Sequence, residues 1–350
     1  MPAARPNLRT IADRLGLSVT TVSRALKDGP EVKPGTVAKV KAAAAEIGYQ
    51  PDARGVMLRT GKTMQVCSIL YSPEVGDYGD PGFLAQVESL AQGLEADHYT
   101  LVVLAQTSGE DPLVPVQKVH TQRMADAVVF SRTTLQDKRA KYCLQHDFPF
   151  VSFGRTELLT PHAFVDHDDE QAAYDAIKRL IEDGHRKIGM IDPHEALTFF
   201  GYRKQGARRA MTDAGLDPES LIWMPSDVSV RAAREATTKL FTDQRDATAV
   251  VCASQMTMIG ALEALLELGM DTIRDGIGVV GFGGMPFRML SKQKLTYYYQ
   301  PQRHVGEVLA RHLHDLMNGT PPEQLQTLLP YRRIDDLAAF REGVDFHAQG

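Results

Sequence analysis

Apolar positions near the amino terminus repeat with the period of an α-helix. A first helix is predicted with Asn7 as its N-cap and with one apolar face made of Leu8, Ile11, Ala12 and Leu15. After a Gly-Leu-Ser turn, Ser18 can cap a second helix from Val19 to about Lys27. A third helix is predicted to start near Pro34 and to stop at Gly48, burying Val37, Val40, Ala44 and Ile47.

After Met64 the pattern changes to short apolar runs that alternate with helical stretches. The predicted strands are Val66–Tyr71, Thr100–Leu104, Ala127–Phe130, Phe150–Phe153, Lys187–Ile191, Ala249–Cys252 and Ile277–Phe282. The predicted helices between them are Phe83–Asp97, Asp169–Glu182, Tyr202–Ala214, Val230–Phe241 and Thr257–Leu268. Such βα alternation predicts parallel sheets with helices on both faces.

Roughly 280 residues of βα pattern exceed what one sheet usually takes, so we expect two lobes. The chain is expected to cross between them near Phe153–Pro161 and near Phe282–Leu295. The cleft between two such lobes, at the carboxyl ends of the strands, is the expected ligand site.

The charge is divided unevenly along the chain. Residues 1–62 carry 11 Lys and Arg against 5 Asp and Glu, whereas the remainder carries 28 against 39. A basic head on an acidic body suggests that the head alone meets a polyanion, although charge by itself also fits a solvated surface.

The remaining composition is that of a soluble globular protein, with 43% hydrophobic and 24% charged residues. No apolar run is long enough for a membrane span, and no signal peptide is visible, so we expect a cytoplasmic protein without a membrane partner. Cys67, Cys143 and Cys252 stand far apart in apolar surroundings, which predicts reduced, buried thiols.

Two short helices around a Gly-containing turn are typical of a helix-turn-helix, whose second helix enters the major groove of DNA. Its exposed face should carry Val19, Thr20, Ser23 and Arg24, and a guanidinium can grip guanine with two hydrogen bonds. Periodicity alone also allows an ordinary three-helix subdomain with a polar surface.

This part of the chain contains a long motif, namely Thr10-Ile11-Ala12, then Leu15-Gly16-Leu17-Ser18-Val19-Thr20-Thr21-Val22-Ser23-Arg24-Ala25-Leu26, and later Ile47-Gly48-Tyr49-Gln50-Pro51. The motif resembles the N-terminal signature of the LacI/GalR repressors. The resemblance continues to about Arg332. It implies an all-α helix-turn-helix head (1–50), a hinge (51–63) and a two-lobed α/β core with parallel sheets, similar to periplasmic binding proteins, for effector binding and dimerisation (64–350).

The resemblance also implies roles in DNA binding. Val19 and Thr20 would read bases together with Arg24, while phosphate-facing or capping roles would fall to Asn7, Ser18, Thr21 and Ser23. In the hinge, Leu58 would wedge into the minor groove beside the basic Arg54. Gly55 stands where the family usually has Ala, and Gly costs about 1 kcal/mol in a helix, so the hinge should be helical only on operator DNA.

For the effector, the segment from Phe199 to Gly206 resembles the Arg-x-x-Gly site of the family. Arg203 would reach into the cleft, and Gln300 would line it near the hinge between the lobes. Tyr71, Phe83, Phe153, Phe199 and Phe200 could offer apolar faces to a sugar ring, although each could equally be core packing.

Two departures from the family pattern lie in the predicted cleft. Ser254-Gln255 replaces a frequent Asn-Asp, and Gly283-Gly284 stands where an acidic residue is usual. Asp77, Asp80 and Asp166 are candidate replacement acceptors. The resemblance thus predicts a small, sugar-like effector that is bound in an altered way.

Together these observations predict a homodimeric, sequence-specific transcriptional repressor that binds operator DNA under the control of that effector. The alternative is a solute-binding protein of periplasmic type without a DNA role. An enzyme is disfavoured because Gly281-Phe282-Gly283-Gly284 lacks the dinucleotide-binding spacing. No cofactor or metal is expected, since Asp166-His167-Asp168-Asp169 is more typical of a helix cap than of a metal site.

Overall fold

A computed structural model of the chain describes residues 6–49, 61–72, 81–107, 109–193, 196–244, 246–283 and 295–335. The chain divides into two compact units, Met1–Met64 and Gln65–Gly350. Within the described ranges, no helix is long and apolar enough to cross a membrane.

The described part of the first unit contains the helices α1 (Leu8–Leu15), α2 (Val19–Ala25) and α3 (Pro34–Glu46). Their apolar faces meet in one small core, in which Ile11, Val22 and Val40 are fully buried, as the periodicity predicted. Helix α2 ends two residues earlier than expected, because the amides of Lys27 and Gly29 both bond to the carbonyl of Arg24 and close the helix.

The second unit alternates strands and helices. Its strands are β1 (Gln65–Ser72), β2 (Thr100–Thr107), β3 (Ala127–Phe130), β4 (Phe150–Phe153), β5 (Ala163–His167), β6 (Ile188–Asp192), β7 (Ile222–Pro225), β8 (Ala249–Cys252), β9 (Gly278–Gly283), β10 (Thr296–Tyr299), β11 (Gln326–Leu329) and β12 (Arg332–Ile334). Its helices are α4 (Pro81–Glu95), α5 (Leu113–Thr121), α6 (Lys138–Gln145), α7 (Asp169–Glu182), α8 (Thr198–Asp213), α9 (Val230–Asp243), α10 (Gln255–Glu267) and α11 (Gln302–Met317). Two short 3₁₀ turns, Pro218–Ser220 and Pro322–Gln324, complete the described elements.

These elements form the two predicted lobes. Lobe 1 contains a six-stranded sheet in the order β11-β5-β4-β3-β1-β2, and all of its neighbouring strands are parallel. Lobe 2 contains a six-stranded sheet in the order β12-β10-β9-β8-β6-β7, in which only the β10–β12 pair is antiparallel. The parallel sheets confirm the fold class predicted from the βα alternation.

The sheet of lobe 2 is covered on both faces, as a parallel sheet must be. Side chains of successive strand residues point to opposite faces, so Val250 packs toward α9 and α10 while Val251 packs toward α7 and α8. Because both faces are covered, every residue of β8 is buried, and its sequence is a continuous apolar run rather than an alternation of apolar and polar residues.

The predicted crossings between the lobes are wrong. The chain crosses after His167, after Tyr299 and after Leu329. The segment 154–162 instead joins β4 to its neighbour β5 within lobe 1, and β9 and β10 are neighbours within lobe 2. Each crossing takes only one or two residues, because α7, α11 and β12 begin almost directly after β5, β10 and β11 end. No long loop therefore marks it in the sequence.

The three cysteines of the chain are free and buried, as predicted. Burial raises the pKa of the Cys67 thiol to about 11 and that of Cys143 to about 12. Both thiols are therefore protonated near neutral pH and serve as core residues rather than nucleophiles.

Candidate nucleic-acid interface and interlobe cleft

Helix α2 presents the polar surface that a recognition helix needs. Val19 is 42% exposed, and Thr20 and Arg24 are also exposed, whereas Val22 and Ala25 on the opposite face are buried. The helix therefore anchors one face in the head and leaves the other open, which is the arrangement predicted from its periodicity.

Two of the predicted DNA-binding residues cap helices. The Asn7 Oδ1 accepts from the amide of Thr10 at 3.0 Å and begins α1, and the Ser18 Oγ accepts from the amide of Thr21 at 3.0 Å and begins α2. Thr21 and Ser23 are half-buried, and the Thr21 hydroxyl lies 2.8 Å from the Ser18 Oγ. Ser18 and Thr21 fix the start of α2, where the first backbone amides of the helix favour a phosphate.

Arg24 has a partner that sequence reasoning missed. Its Nε lies 3.1 Å from the Oε1 of Glu31, and the two side chains are 57% and 47% exposed. An exposed pair of this kind is held weakly, so the guanidinium can leave it for a base edge. The other predicted contacts to DNA, Arg54, Gly55 and Leu58, lie outside the described residues.

Arg203 occupies the base of the cleft between the lobes, but it does not offer a free guanidinium. Its Nε donates to Asp169 Oδ1 at 2.8 Å, its Nη1 donates to the carbonyl of Ala253 at 2.8 Å, and its Nη2 donates to Tyr331 Oη at 3.0 Å. Its side chain is buried, and its guanidinium carbon lies over the rings of Phe199 and Phe282, 4.9 and 4.3 Å from their centres. The expected reach into the cleft is thus replaced by a closed internal network.

Tyr331 joins the crossings to this network. Its hydroxyl accepts from Arg203 and from the Nε2 of Gln300 at 2.8 Å, and it donates to Asp169 Oδ1 at 2.7 Å. The Oε1 of Gln300 in turn accepts from Gln302 at 3.1 Å. Asp169, Gln300 and Tyr331 each lie at a different crossing, so one hydroxyl ties all three crossing segments together.

The buried guanidinium of Arg203 lies near two carboxylates, those of Asp169 and Asp192. Burial alone would lower the pKa of Arg203, but Tyr331, Asp169 and Asp192 outweigh it and raise that pKa. Asp192 at the end of β6 lies 3.9 Å from the guanidinium, and its Oδ1 has no hydrogen-bond partner among the described residues. Burial raises the pKa of Asp192 to about 7.

The strand ends of lobe 2 carry further predicted effector residues. Ser254 caps α10 through the amide of Thr257. The next residue, Gln255, is buried, and neither atom of its amide has a hydrogen-bond partner among the described residues. Gly283 has a φ of 153°, and a Cβ there would lie 2.5 Å from the hydroxyl of Tyr297, so both the backbone conformation and this side-chain contact disfavour any other residue at this position.

The predicted aromatic residues take different roles. Phe200 is buried edge-on against Trp223 and is part of the core of lobe 2. Phe153 is half-buried with its edge toward His167, and Phe83 is half-buried on α4. Tyr71 has one ring face covered by the guanidinium of Arg132 at 4.4 Å, so that face is closed to a sugar ring.

The proposed replacement acceptors also differ from expectation. Asp166 is already paired, with its Oδ2 3.2 Å from the Nε of Arg155, and burial raises its pKa to about 7. Asp168 caps α7 by accepting from the amide of Gln171, which confirms the capping interpretation of this acidic segment. Asp77, Asp80 and Gly284 lie outside the described residues.

The lobes are also bridged, away from the chain crossings, by a contact that the sequence did not predict. The amide of Thr198 donates to the carbonyl of Thr133 at 2.9 Å, and the two hydroxyls lie 2.7 Å apart. This contact explains why α8 begins at Thr198, four residues before the predicted start. Beside it, a cavity of about 130 Å³ opens in lobe 1 between β1, β2 and the loop after β3.

Comparison with known proteins gives two family matches. Residues 7–52 match the model for bacterial regulatory proteins of the lacI family, and residues 177–335 match the periplasmic binding protein-like domain.

Individual proteins also align with most of the chain. The HTH-type transcriptional regulator AglR of Rhizobium meliloti is 32% identical over 266 residues, which is 75% of this chain and 74% of that protein. A solved complex of the transcriptional regulator CelR with cellobiose shares 24% identity and has a TM-score of 0.68, with 94% of this chain and 98% of that chain covered. The lac repressor dimer bound to operator and the anti-inducer ONPF has 21% identity and a TM-score of 0.77, with 95% and 98% coverage.

Proposed function

Because the chain belongs to the lacI family of bacterial regulatory proteins, we propose that it is a sequence-specific transcriptional repressor whose affinity for operator DNA is set by a small effector bound between its lobes. The observation that carries this proposal is the exposed, capped helix α2 in a unit separate from a two-lobed α/β cleft. The proposed organisation is a DNA-binding head (1–50), a hinge (51–63) and an effector-binding and dimerisation domain (64–350).

The proposed effector is small and sugar-like. Lobe 2 offers buried polar atoms without protein partners in the described ranges, namely the amide of Gln255 and the Oδ1 of Asp192. Buried polar atoms of this kind are costly unless a ligand or water satisfies them. The structural relative CelR binds cellobiose in the same fold, which supports the choice of a sugar.

The proposed assembly is a homodimer on a near-palindromic operator. A head of three short helices reads too few base pairs for strong selectivity, and two heads related by a twofold axis double the site. The lac repressor, which has the same fold, is a dimer on its operator.

Two other functions account for less of the molecule. A solute-binding protein of periplasmic type would need the two lobes but gives no reason for the matched segment 7–52. An enzyme would need reactive groups in the cleft, and the relatives that align along most of the chain are transcriptional regulators. We therefore propose that the cleft binds its ligand without chemical change.

The decisive experiment is selection of operator DNA from a random duplex library, followed by fluorescence anisotropy with the selected duplex and a scrambled one. We expect a near-palindromic consensus and an affinity that falls steeply with salt, since phosphate contacts release counterions. An effector is then sought by adding a sugar library to the complex. The absence of any enriched sequence would refute the proposal.

Specific reading by α2 is tested with Arg24→Ala. The variant should lose roughly 1–3 kcal/mol of binding free energy and relax preference at one base position in each half-site. Arg14→Ala is the matched control, because Arg14 lies on α1 rather than on α2 and forms a similarly exposed pair, with Glu46 of α3. Equal losses on selected and scrambled duplexes would contradict a base-reading role.

A further inference from the structure

The cavity of lobe 1 contains an arginine that differs from the others around the cleft. Arg139, Arg155 and Arg203 are each paired with a carboxylate, at 2.8 Å to Asp137, 3.2 Å to Asp166 and 2.8 Å to Asp169. Arg132 forms no ion pair and donates no hydrogen bond to any residue that the structure describes, although it is half-buried and burial lowers its pKa. It is thus a partly desolvated cation without a counter-charge in these segments.

The backbone at Arg132 is held in an unfavourable conformation. Its φ of 55° lies in the left-handed region, which is uncommon for residues other than Gly, Asn and Asp. The Nη2 of Arg139 donates to the carbonyl of Arg132 at 3.0 Å, and Asp137, the partner of Arg139, accepts from the amide of Thr134 at 3.1 Å. A buried ion pair therefore fixes the loop in this shape, and such local strain is concentrated at functional sites.

The loop places the guanidinium in a small, mixed cavity. The guanidinium carbon of Arg132 lies over the ring of Tyr71, 4.4 Å from its centre, and Gln106, Ser131 and Thr134 line the same cavity of about 130 Å³. The aromatic ring supplies no oxygen acceptor, so the N–H groups of the guanidinium remain available for acceptors in the cavity. Asp227 of lobe 2 is the acidic side chain whose charge acts on Arg132, but it is exposed and forms no ion pair with it.

We propose that Arg132 forms an anion-binding subsite in lobe 1, and that the effector of this protein carries a carboxylate or a phosphate at its lobe 1 end. This inference rests on the proposed function, because it specifies the ligand of the same cleft. The effector class is then an acidic sugar or a sugar phosphate, and the guanidinium edge grips two oxygens of its anionic group.

The charge of Arg132 is the reason to choose an anion over a neutral sugar. Hydroxyl groups can accept its hydrogen bonds but add no negative charge, and no residue that the structure describes forms an ion pair with this partly buried cation. A carboxylate or phosphate supplies both the acceptors and the negative charge, and the planar fork of arginine matches the spacing of its oxygens. A lysine at the same position would supply the charge without the fork.

The experiment measures thermal stability of the full-length protein with matched ligands. The probes are inorganic phosphate, glucose, glucuronate and glucose 6-phosphate, each at equal ionic strength. Phosphate stabilises most proteins through exclusion from the surface, so the informative quantity is the difference between the wild type and Arg132→Gln. Arg231→Gln, which removes an exposed arginine of α9, is the matched control.

We expect the anionic probes to raise the melting temperature of the wild type and of Arg231→Gln more than that of Arg132→Gln. Titration should give an affinity for the best anionic probe that is lower by about tenfold or more in Arg132→Gln, with partial recovery in Arg132→Lys. An identical response to inorganic phosphate and the acidic sugars in wild type and Arg132→Gln would overturn the proposal, and so would stabilisation by glucose alone.

Operator binding without ligand separates this proposal from the proposed function. Arg132 lies in a different unit from helix α2, so Arg132→Gln should bind the selected duplex as the wild type does. If neither protein binds any duplex, the proposed regulator function fails. If both bind and the anionic probes act equally on both, only the anion subsite fails.

Discussion

The arginine–carboxylate pair of the head and the one at the base of the cleft have similar geometry but opposite surroundings. Arg24 lies 3.1 Å from Glu31 with side chains 57% and 47% exposed, and Arg203 lies 2.8 Å from Asp169 with side chains 4% and 3% exposed. Exposure decides what each pair can do. The first can open at little cost, which leaves Arg24 free for the proposed contact with DNA, whereas the second cannot be broken without leaving a buried charge.

The strongest test of this contrast is Asp169→Asn. Without this carboxylate, the remaining ion-pair partner of Arg203 among the described residues is Asp192, at 3.9 Å, and we expect a loss of about 3–5 kcal/mol in the free energy of unfolding, measured by urea denaturation. Asp183→Asn is the matched control, since Asp183 pairs with Arg179 at the exposed end of the same helix. A loss below about 1 kcal/mol in Asp169→Asn would mean that burial does not distinguish the two pairs.

Tyr331→Phe tests the same network without removing a charge. The substitution takes one acceptor from both Arg203 and Gln300 and one donor from Asp169, so we expect a loss of about 2–3 kcal/mol in urea denaturation. Tyr174→Phe is the matched control, because it removes one exposed hydroxyl hydrogen bond, to Asp213 at 3.1 Å. If the two phenylalanine variants lose equal stability, the hydroxyl of Tyr331 contributes no more than an exposed hydrogen bond does.

Asp192→Asn uses pH to examine the excess carboxylate beside Arg203. The pKa of Asp192 is raised to about 7 in the folded protein, whereas an unfolded aspartate titrates near 4. Between these values the folded chain holds a proton that the unfolded chain releases, so this group makes stability fall as the pH rises.

The expected result is a stability advantage of Asp192→Asn over the wild type that grows by about 1 kcal/mol per pH unit between about pH 5 and pH 7. Urea denaturation of both proteins across this range gives the measurement. A difference that stays constant with pH would show that Asp192 is ionised throughout.

The smallest effect is expected from Glu31→Gln in the head. Loss of an exposed pair should change the free energy of unfolding by less than about 1 kcal/mol. Because Arg24 is then released and a negative charge near DNA is removed, operator affinity should rise by about two- to fivefold in anisotropy titrations. A weaker complex would instead mean that Glu31 positions Arg24 for its base.

The contrast also shows where sequence reasoning works. The caps at Asn7 and Ser18 and the buried face of α2 involve neighbours within one or two turns, so periodicity and capping preferences predict them. Asp169 looked like an ordinary acidic residue in a first helical turn, and its partner Tyr331 stands 162 positions away. Single-sequence patterns contain no signal for such pairs, nor for crossings that need no loop.

Arg132 was missed for a related reason. Neither its left-handed backbone nor the ion pair that maintains it can be read from a Ser-Arg-Thr-Thr segment, because both depend on Arg139 and Asp137 being buried together. The family resemblance, by contrast, directed attention to Arg203, which the structure places in an internal network.

The bridge between Thr133 and Thr198 has a kinetic consequence. Thr198 is the first residue of α8, so its amide has no partner within its own helix and bonds instead to the other lobe. Its amide proton can exchange with deuterium only when the lobes separate, and its exchange rate therefore reports the population of the open cleft. An effector that closes the cleft slows this exchange. If it also releases DNA, then operator binding must speed the same exchange, because two ligands coupled through one equilibrium act on it reciprocally.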